Sequence, residues 1–181
     1  MAGFVLDYVV FDSPLGWIVV GAGTEGISMA AFLGAQQPGG ELAEPAIRDE
    51  YPEALPRPAE GQGFAAEARQ YIFDYLTRGR PIPEIPLDVR KGTDFDRRVW
   101  RAISEIPFGQ TRSYGQVALA AGRPSAARAA GRACGRNPVP IIVPCHRVVG
   151  SGGKLGGYSG GLEIKRALLD LEKRSRGAPM Q

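Results

Sequence analysis

The stretch Ile141–Val149, IIVPCHRVV, decides how this chain is organised. It is an apolar run that ends in a proline and then presents Cys145, which is followed directly by His146, the only histidine in the chain. We predict a short buried strand over residues 141–143, with the Cys145 thiol at its rim. A thiol placed among glycine-rich backbone and arginines is a candidate nucleophile. Successive residues of an extended chain point to opposite faces, so a contact between Cys145 and His146 would need a turn or a bridging water.

Length and composition describe an ordinary globular chain. Its 181 residues suffice for one large domain or two small ones. The chain has no run of about 18 apolar residues, so no membrane-spanning helix is expected, and Met1–Val10 lacks the basic start of a signal peptide. Two cysteines and one histidine favour neither a disulfide framework nor a four-ligand zinc site. We therefore expect a cytoplasmic protein with no membrane partner, no metal and no cofactor.

Charge is distributed unevenly along the chain. The net charge is +3, but residues 1–81 hold five Lys and Arg against eleven Asp and Glu, and residues 82–181 hold seventeen against eight. The stretch 106–162 contains seven cations and no acidic residue. Because like charges on one surface repel, such a stretch favours a polyanionic partner, with nucleic acid as the first candidate. A basic surface without a ligand is the alternative.

The first half is predicted to form an α/β scaffold. Three segments rich in Val, Ile and aromatic residues predict a small antiparallel sheet: Phe4–Phe11, Trp17–Gly21 and Ile27–Leu33. Residues 34–63 are predicted as a surface connection with a short helix near Leu42–Glu50. Phe64–Arg78 carries one apolar stripe and is predicted as a helix.

The second half is predicted to be mostly helical. One helix is expected from a cap at Thr93 or Asp94 to about residue 105, and the last over Glu163–Lys173. Between them, two short helices joined by a tight turn resemble a helix-turn-helix. Ser113 caps the first of the pair, with Gln116 at capping-box spacing, and Ser125 caps the second, which ends near residue 135.

These elements divide the chain into four parts. They are an N-terminal α/β scaffold domain, 1–81, a proline-rich connector, 82–91, a second domain, 92–174, and a flexible tail, 175–181.

The second helix of the pair has an unusual composition. Arg128, Arg132 and Arg136 are spaced four residues apart and therefore share one face, while the residues between them are Ala, Gly and Cys. A small-residue helix with a basic edge can approach a phosphate backbone or a groove closely. A tightly packed core helix is the alternative, against which the three arginines weigh.

Three short motifs in the second half match one family of proteins. They are Asn137–Pro140 (NPVP), Pro144–Val149 (PCHRVV) and Tyr158–Gly161 (YSGG). Together they resemble the O6-alkylguanine-DNA alkyltransferases, suicide DNA-repair proteins that move an alkyl group from guanine O6 to their own cysteine. The resemblance continues through Pro107–Gly109, Ser113-Tyr114 and Ala126–Arg128, and covers about residues 94–172 in detail.

The resemblance implies both a fold and a reaction. The fold is a two-part α/β one: a small antiparallel sheet with a helix, RNase H-like, followed by a mostly helical domain with the helix-turn-helix and the cysteine loop. The reaction is irreversible, single-turnover transfer of an alkyl group from guanine O6, and from thymine O4, in duplex DNA, after the nucleotide is flipped out of the stack.

The resemblance also implies the catalytic residues. Cys145 would be the acceptor thiol, and His146 would deprotonate it through a water. Glu172 would polarise His146, and Asn137 would brace the cysteine loop. The implied substrate pocket comprises Pro140, Val148, Tyr158, Ser159 and Lys165. Gly157, before Tyr158, would leave that pocket open to larger alkyl groups.

The implied partner is double-stranded alkylated DNA, bound in the minor groove. Arg128 would enter the duplex and fill the gap left by the extruded guanine, and Tyr114 would help to rotate the nucleotide. Ser113, Ala127 and Arg136 complete the DNA-binding set. A monomer is expected in solution, and cooperative binding along DNA stays open.

Other functions remain open at this point. Alkyltransferase-like proteins bind alkylated DNA without repairing it, but they lack the acceptor cysteine. A helix-turn-helix regulator with an inert cysteine and a cysteine hydrolase are further candidates, although no hydrolase signature surrounds Cys145. An inert buried cysteine and a structural histidine are the common roles of these residue types.

Overall fold

The computed structural model describes residues 3–34 and 40–175. It separates the chain into two units, residues 1–90 and 91–181. Almost all of the predicted tail, 175–181, lies outside the described residues. In the two described ranges, no helix is both long enough and apolar enough to cross a bilayer.

The first unit is built on a four-stranded sheet. Its strands are β1 (Phe4–Phe11), β2 (Trp17–Ala22), β3 (Ile27–Gly34) and β4 (Ala54–Pro58), in the spatial order β3-β2-β1-β4. The strands β1 to β3 form the predicted antiparallel meander. The sheet as a whole is mixed, because β4 pairs with β1 in parallel. The predicted sheet was antiparallel, so the parallel pairing of β4 corrects it to a mixed one. The connection predicted over 34–63 contains the short helix expected near Leu42–Glu50, at Gly40–Glu50, and also the strand β4, which was not predicted. A segment of sequence ALPRP is tolerated as a strand because β4 lies at the edge.

Two helices pack against this sheet. Helix α1 (Gly40–Glu50) contributes Ala43 and Ile47 to an apolar cluster with Leu6, Val19 and Met29. Helix α2 (Phe64–Arg78), predicted with these bounds, buries its own apolar stripe and packs on β1 and β2. The strand β2 is therefore buried along nearly its whole length, and the sheet forms the core of the unit.

The proline-rich residues 82–91 lie mostly with the first unit. The amide of Ile27 donates to the Pro86 carbonyl at 2.9 Å, and the amide of Asp88 donates back to the Ile27 carbonyl at 2.8 Å. These two bonds attach the predicted connector to the start of β3.

The second unit is mostly helical, as predicted. Its elements are α3 (Asp94–Ser104), β5 (Arg112–Ser113), α4 (Tyr114–Ala120), α5 (Ala127–Gly135), β6 (Val148–Val149) and α6 (Leu162–Ser175), and β5 pairs with β6 in parallel. Helices α4 and α5 pack together across the turn 121–126 and form the predicted helix pair.

The helix starts of this unit test the predicted caps. Capping boxes form at Thr93 with Asp96 and at Ser113 with Gln116. The predicted cap at Ser125 was wrong: Ala126 is the N-cap of α5 and makes no side-chain bond. Ser125 precedes this N-cap by one residue, so its hydroxyl does not stand at the position that bonds the first free amides of the helix.

Candidate active site

The cysteine segment is a pair of turns, so the predicted strand over residues 141–143 was wrong. The amide of Val143 donates to the Val139 carbonyl at 2.9 Å. Ile141 has a φ of 75°, a left-handed conformation that costs a β-branched residue about 1 to 2 kcal/mol. Cys145–Arg147 then forms one turn of 3₁₀ helix. Cys145 and His146 thus lie within a tight turn and not in an extended strand.

The Cys145 thiol is buried and is held by Asn137. Only 3% of Cys145 is exposed. The Asn137 side-chain amide donates to the Val143 carbonyl at 2.8 Å and to Cys145 Sγ at 3.1 Å, and its oxygen accepts from the Val139 amide at 3.1 Å. The pKa of Cys145 is raised to about 11 by burial, against the opposing effects of the Asn137 bond and the Lys165 charge. At neutral pH the resting group is therefore a thiol, and a base is needed to make it a nucleophile.

His146 and Glu172 form a buried pair behind the cysteine. His146 Nε2 lies 2.9 Å from Glu172 Oε1, and both side chains are fully buried. Burial lowers the pKa of His146, and the charges of Arg147 and Lys165 lower it further, while Glu172 opposes the shift. A neutral imidazole results at pH 7, which is the form able to accept a proton.

Arg147 holds the Glu172 carboxylate in place. Its Nε lies 3.1 Å from both carboxylate oxygens, and its Nη2 donates to Oε1 at 2.9 Å. The Gly109 amide donates to Oε2 at 2.6 Å, and Arg147 Nη1 donates to the Ile106 carbonyl at 2.6 Å. A buried carboxylate is stable only when it is paired and hydrogen-bonded, so these contacts are what allow Glu172 to face His146 as an anion.

Lys165 is a fully buried lysine whose charge acts on the Cys145 thiol. Its Nζ donates to the carbonyls of Val148, at 2.7 Å, and Gly157, at 3.2 Å. Burial lowers the pKa of Lys165, while the nearby cysteines oppose the shift. The lysine thereby connects α6 to the backbone before and within the glycine-rich loop, residues 150–161.

The thiol lies at an open cleft of about 1030 Å³ within the second unit. The cleft includes seven of the predicted site residues: Ser113, Tyr114, Ala127, Arg128, Cys145, Tyr158 and Ser159. Its wall contains two arginines and, among the described residues, no acid. Helix α5 comes close to the ring of Tyr114, since a Cβ built on Gly131 would lie 3.7 Å from that ring. An anionic ligand suits such a cleft.

The remaining predicted residues lie away from the cleft wall. Asn137, His146, Glu172 and Lys165 stand behind it and support the cysteine segment and the loop. Pro140 and Val148 are buried and do not line it, and Val148 contributes only a carbonyl to Lys165.

Arg136, predicted to bind DNA, has another partner. It donates to the buried Asp96 carboxylate at 2.5 Å, and this bond is one of the causes that lower the pKa of Asp96. Burial opposes that shift. Arg136, the C-cap of α5, thereby connects this helix to α3. Its side chain is still 54% exposed, and its assignment to the DNA-binding set stays a prediction.

Several residues of the site were not among the predicted site residues, although Arg132 had been placed on the basic face of the second helix. Arg147 and the Gly109 amide hold Glu172, and Arg132 and Cys134 line the cleft. The signal for Arg147 was its place inside the PCHRVV motif, and that for Arg132 was its spacing of four from Arg128. In the described ranges, no group of three or more His, Cys, Asp or Glu side chains could hold a metal ion.

Comparisons with known proteins agree on one family. Residues 94–174 match the family model "6-O-methylguanine DNA methyltransferase, DNA binding domain". The chain is 39% identical over 165 residues to the methylated-DNA–protein-cysteine methyltransferase of Methanosarcina acetivorans, covering 91% of this chain and 97% of that protein. It is 52% identical over 118 residues to the protein of the same name from Mycobacterium bovis, covering 65% and 68%.

Solved structures give the same result. The fold matches the crystal structure of Mycobacterium tuberculosis O6-methylguanine methyltransferase with a TM-score of 0.78 and 39% identity, over 97% of this chain and 96% of that one. It also matches that of Mycobacterium tuberculosis OGT in complex with DNA, with a TM-score of 0.75 and 38% identity, over 93% and 94%.

Proposed function

Because the chain belongs to the methylated-DNA–protein-cysteine methyltransferase family, we propose that it repairs alkylated guanine in duplex DNA by transferring the alkyl group from O6 to Cys145. One observation carries the proposal. A buried thiol lies at a basic cleft, with a neutral histidine and a buried carboxylate directly behind it. The product is an S-alkylcysteine, a thioether whose sulfur–carbon bond resists hydrolysis, so each molecule acts once.

The proposed chemistry is a displacement at the alkyl carbon. The sulfur–carbon bond forms as the bond from carbon to guanine O6 breaks, and the electron pair stays on the base. The Cys145 proton passes to His146 through a water. The guanine anion takes up one proton from water, and His146 later returns its proton to water, so the thiol proton and the new guanine proton balance. His146 donates Nε2–H to Glu172, which leaves Nδ1 as the ring's proton acceptor.

The raised pKa of Cys145 fits this mechanism. Burial favours the neutral thiol in the resting protein, which guards the only acceptor against stray electrophiles. We propose that Cys145 loses its proton to His146 as its sulfur attacks the alkyl carbon, once the alkylated nucleobase occupies the cleft. His146 is the general base, and Glu172 and Asn137 position the imidazole and the sulfur.

The pocket for the base is proposed to lie between the glycine-rich loop and Tyr114. Tyr158 stacks on the base, Ser159 faces O6, and Lys165 holds the loop through the Val148 and Gly157 carbonyls. Pro140 and Val148 support the pocket from behind.

The alkyl range of this pocket is proposed to extend beyond methyl. A Cβ at Gly157 would meet nothing within 4 Å, and this leaves room for larger alkyl groups. The same displacement serves an alkyl group on thymine O4.

The helix α5 is proposed to bind DNA in the minor groove. That groove is only about 6 Å wide, and the Ala and Gly residues of α5 allow a close approach. Arg128 fills the gap left by the extruded nucleotide, and Tyr114, Ser113 and Ala127 line the path of that nucleotide into the cleft. A single copy of the chain contains every proposed catalytic residue, so we infer that a monomer is the acting unit.

The two halves have separate proposed roles. Residues 92–174 form the DNA-binding and alkyl-transfer domain, and the family model covers nearly the same range. Residues 1–81 form a scaffold. A damage-binding protein without transfer, or a helix-turn-helix regulator, would have no use for the Cys145–Asn137 and His146–Glu172 contacts.

Intact-protein mass spectrometry tests the proposal directly. The protein is incubated with a duplex that carries one O6-methylguanine, and peptide mapping locates any added mass. We expect a gain of one methyl group on Cys145, none on Cys134, and none in Cys145→Ala. Tight binding of the modified duplex without a gain in mass would replace the transfer mechanism by damage sensing.

A further inference from the structure

The three arginines on one face of α5 have different surroundings. Arg136 is bound to the buried Asp96. Arg128 and Arg132 are exposed, line the cleft, and form no ion pair with any residue in the described ranges. Arg132 is therefore a cation that neither the fold nor the mechanism above has used.

Arg132 lines the same cleft as the Cys145 thiol. It follows Arg128 by one turn of α5, about 6 Å along the axis, and precedes the Asn137 segment that holds Cys145. The described residues lining the cleft include no Asp or Glu that could neutralise it. A guanidinium at such a place matches the fork of donors that phosphate oxygens accept.

We propose that Arg132 binds the backbone phosphate next to the extruded nucleotide and so holds that nucleotide in the cleft. The inference rests on the proposed function. A nucleotide whose base reaches Cys145 must bring its own phosphate toward the mouth of the cleft. Arg128 occupies the vacated place in the duplex, so a second cation is needed for that phosphate. Arg132 is then a positioning residue, because it acts on the backbone and leaves the reacting atoms to others.

The test compares two substrates that differ in whether they carry a phosphate. One is a duplex with a single O6-methylguanine, and the other is the free base O6-benzylguanine. Single-turnover rates on both are measured by mass for the wild type, Arg132→Ala, Arg132→Lys and the control Arg101→Ala. Arg101 is an exposed arginine in the last turn of α3 and does not line the cleft.

The ratio of duplex rate to free-base rate should fall about tenfold in Arg132→Ala, the effect of losing one charge-assisted hydrogen bond. Arg132→Lys should recover much of that ratio, and Arg101→Ala should keep it. The slope of log duplex affinity against log salt concentration is negative, and its magnitude should decrease by about 0.9 in Arg132→Ala. If both rates fall together, or the salt slope is unchanged, Arg132 shapes the base pocket or the fold and the proposal is overturned.

An uncharged backbone identifies the phosphate. Duplexes are made with a methylphosphonate on the 5′ or the 3′ side of O6-methylguanine. At the phosphate that Arg132 binds, the wild type should slow about tenfold while Arg132→Ala slows little further, since the two changes remove one contact. Additive losses at both positions would refute the contact. A wild type that transfers no alkyl group from either substrate would instead overturn the proposed function, and the role of Arg132 with it.

Discussion

Replacing Arg147 by methionine should lower the free energy of unfolding by about 3 kcal/mol. The variant keeps the length of the side chain but removes the donors to a Glu172 carboxylate that is 1% exposed. Breaking a buried ion pair from one side costs about 3 to 5 kcal/mol. We take the lower end because the Gly109 amide and His146 still bond the carboxylate.

An exposed ion pair on α6, the helix that carries Glu172, provides the control. Arg166 and Glu163 lie 2.8 Å apart, with side chains 52% and 89% exposed. Arg166→Met should cost about 0.5 kcal/mol or less. Urea denaturation at pH 7 measures both variants. A loss in Arg147→Met within about 1 kcal/mol of that in Arg166→Met would show that the fold does not depend on pairing this carboxylate.

The same variant should change the pH dependence of transfer. Burial is the main cause of the lowered pKa of His146, and the positive charge of Arg147 contributes to it. Removing that charge raises the pKa, so His146 stays protonated, and unable to accept the thiol proton, up to a higher pH. The acidic limb of the single-turnover rate profile should therefore move to higher pH. A limb that moves to lower pH would contradict the assigned electrostatics.

Three further outcomes follow from particular contacts. Asn137→Ala should lose about 2 kcal/mol of stability, because it leaves buried backbone groups unbonded, and it should also slow alkyl transfer; a loss below about 0.5 kcal/mol in urea would contradict the bracing role. Gly156→Ala and Gly153→Ala both place alanine at a positive φ, but only a Cβ at 156 meets the Tyr114 hydroxyl, at 2.7 Å, so only Gly156→Ala should slow transfer from the duplex well beyond its effect on stability. The rate of Cys145 alkylation by iodoacetamide, mapped by peptide mass, should keep rising above pH 9, toward the raised pKa of about 11; a plateau near the ordinary cysteine pKa of about 8.5 would refute the buried-thiol assignment.

Local signals predicted the local structure well. The capping box at Ser113, the helix cap at Thr93 and the bounds of α2 followed from spacings within a few residues, because the bonds that form them join near neighbours. The failures came where distant packing overrode local preference. The ALPRP segment forms a strand because the edge of the sheet was available to it. The apolar run 141–143 forms a turn, although the turn places the β-branched Ile141 at a positive φ. Neither outcome has a signal within its own segment.

The sequence by itself determined the family, through PCHRVV and the motifs around it, and through the family the proposed acceptor and base, Cys145 and His146. It also determined the acid-free basic stretch, because charge is a property of composition. Only the tertiary structure decided which arginines face the cleft. Arg136 bonds Asp96, which lies forty residues earlier in the chain, while Arg132 forms no ion pair with the described residues. It alone decided the state of Cys145, because a pKa depends on burial and on groups brought close by folding. Spacing along the chain predicts contacts between near neighbours, but the distance between charges that are far apart in sequence is set only when the chain folds.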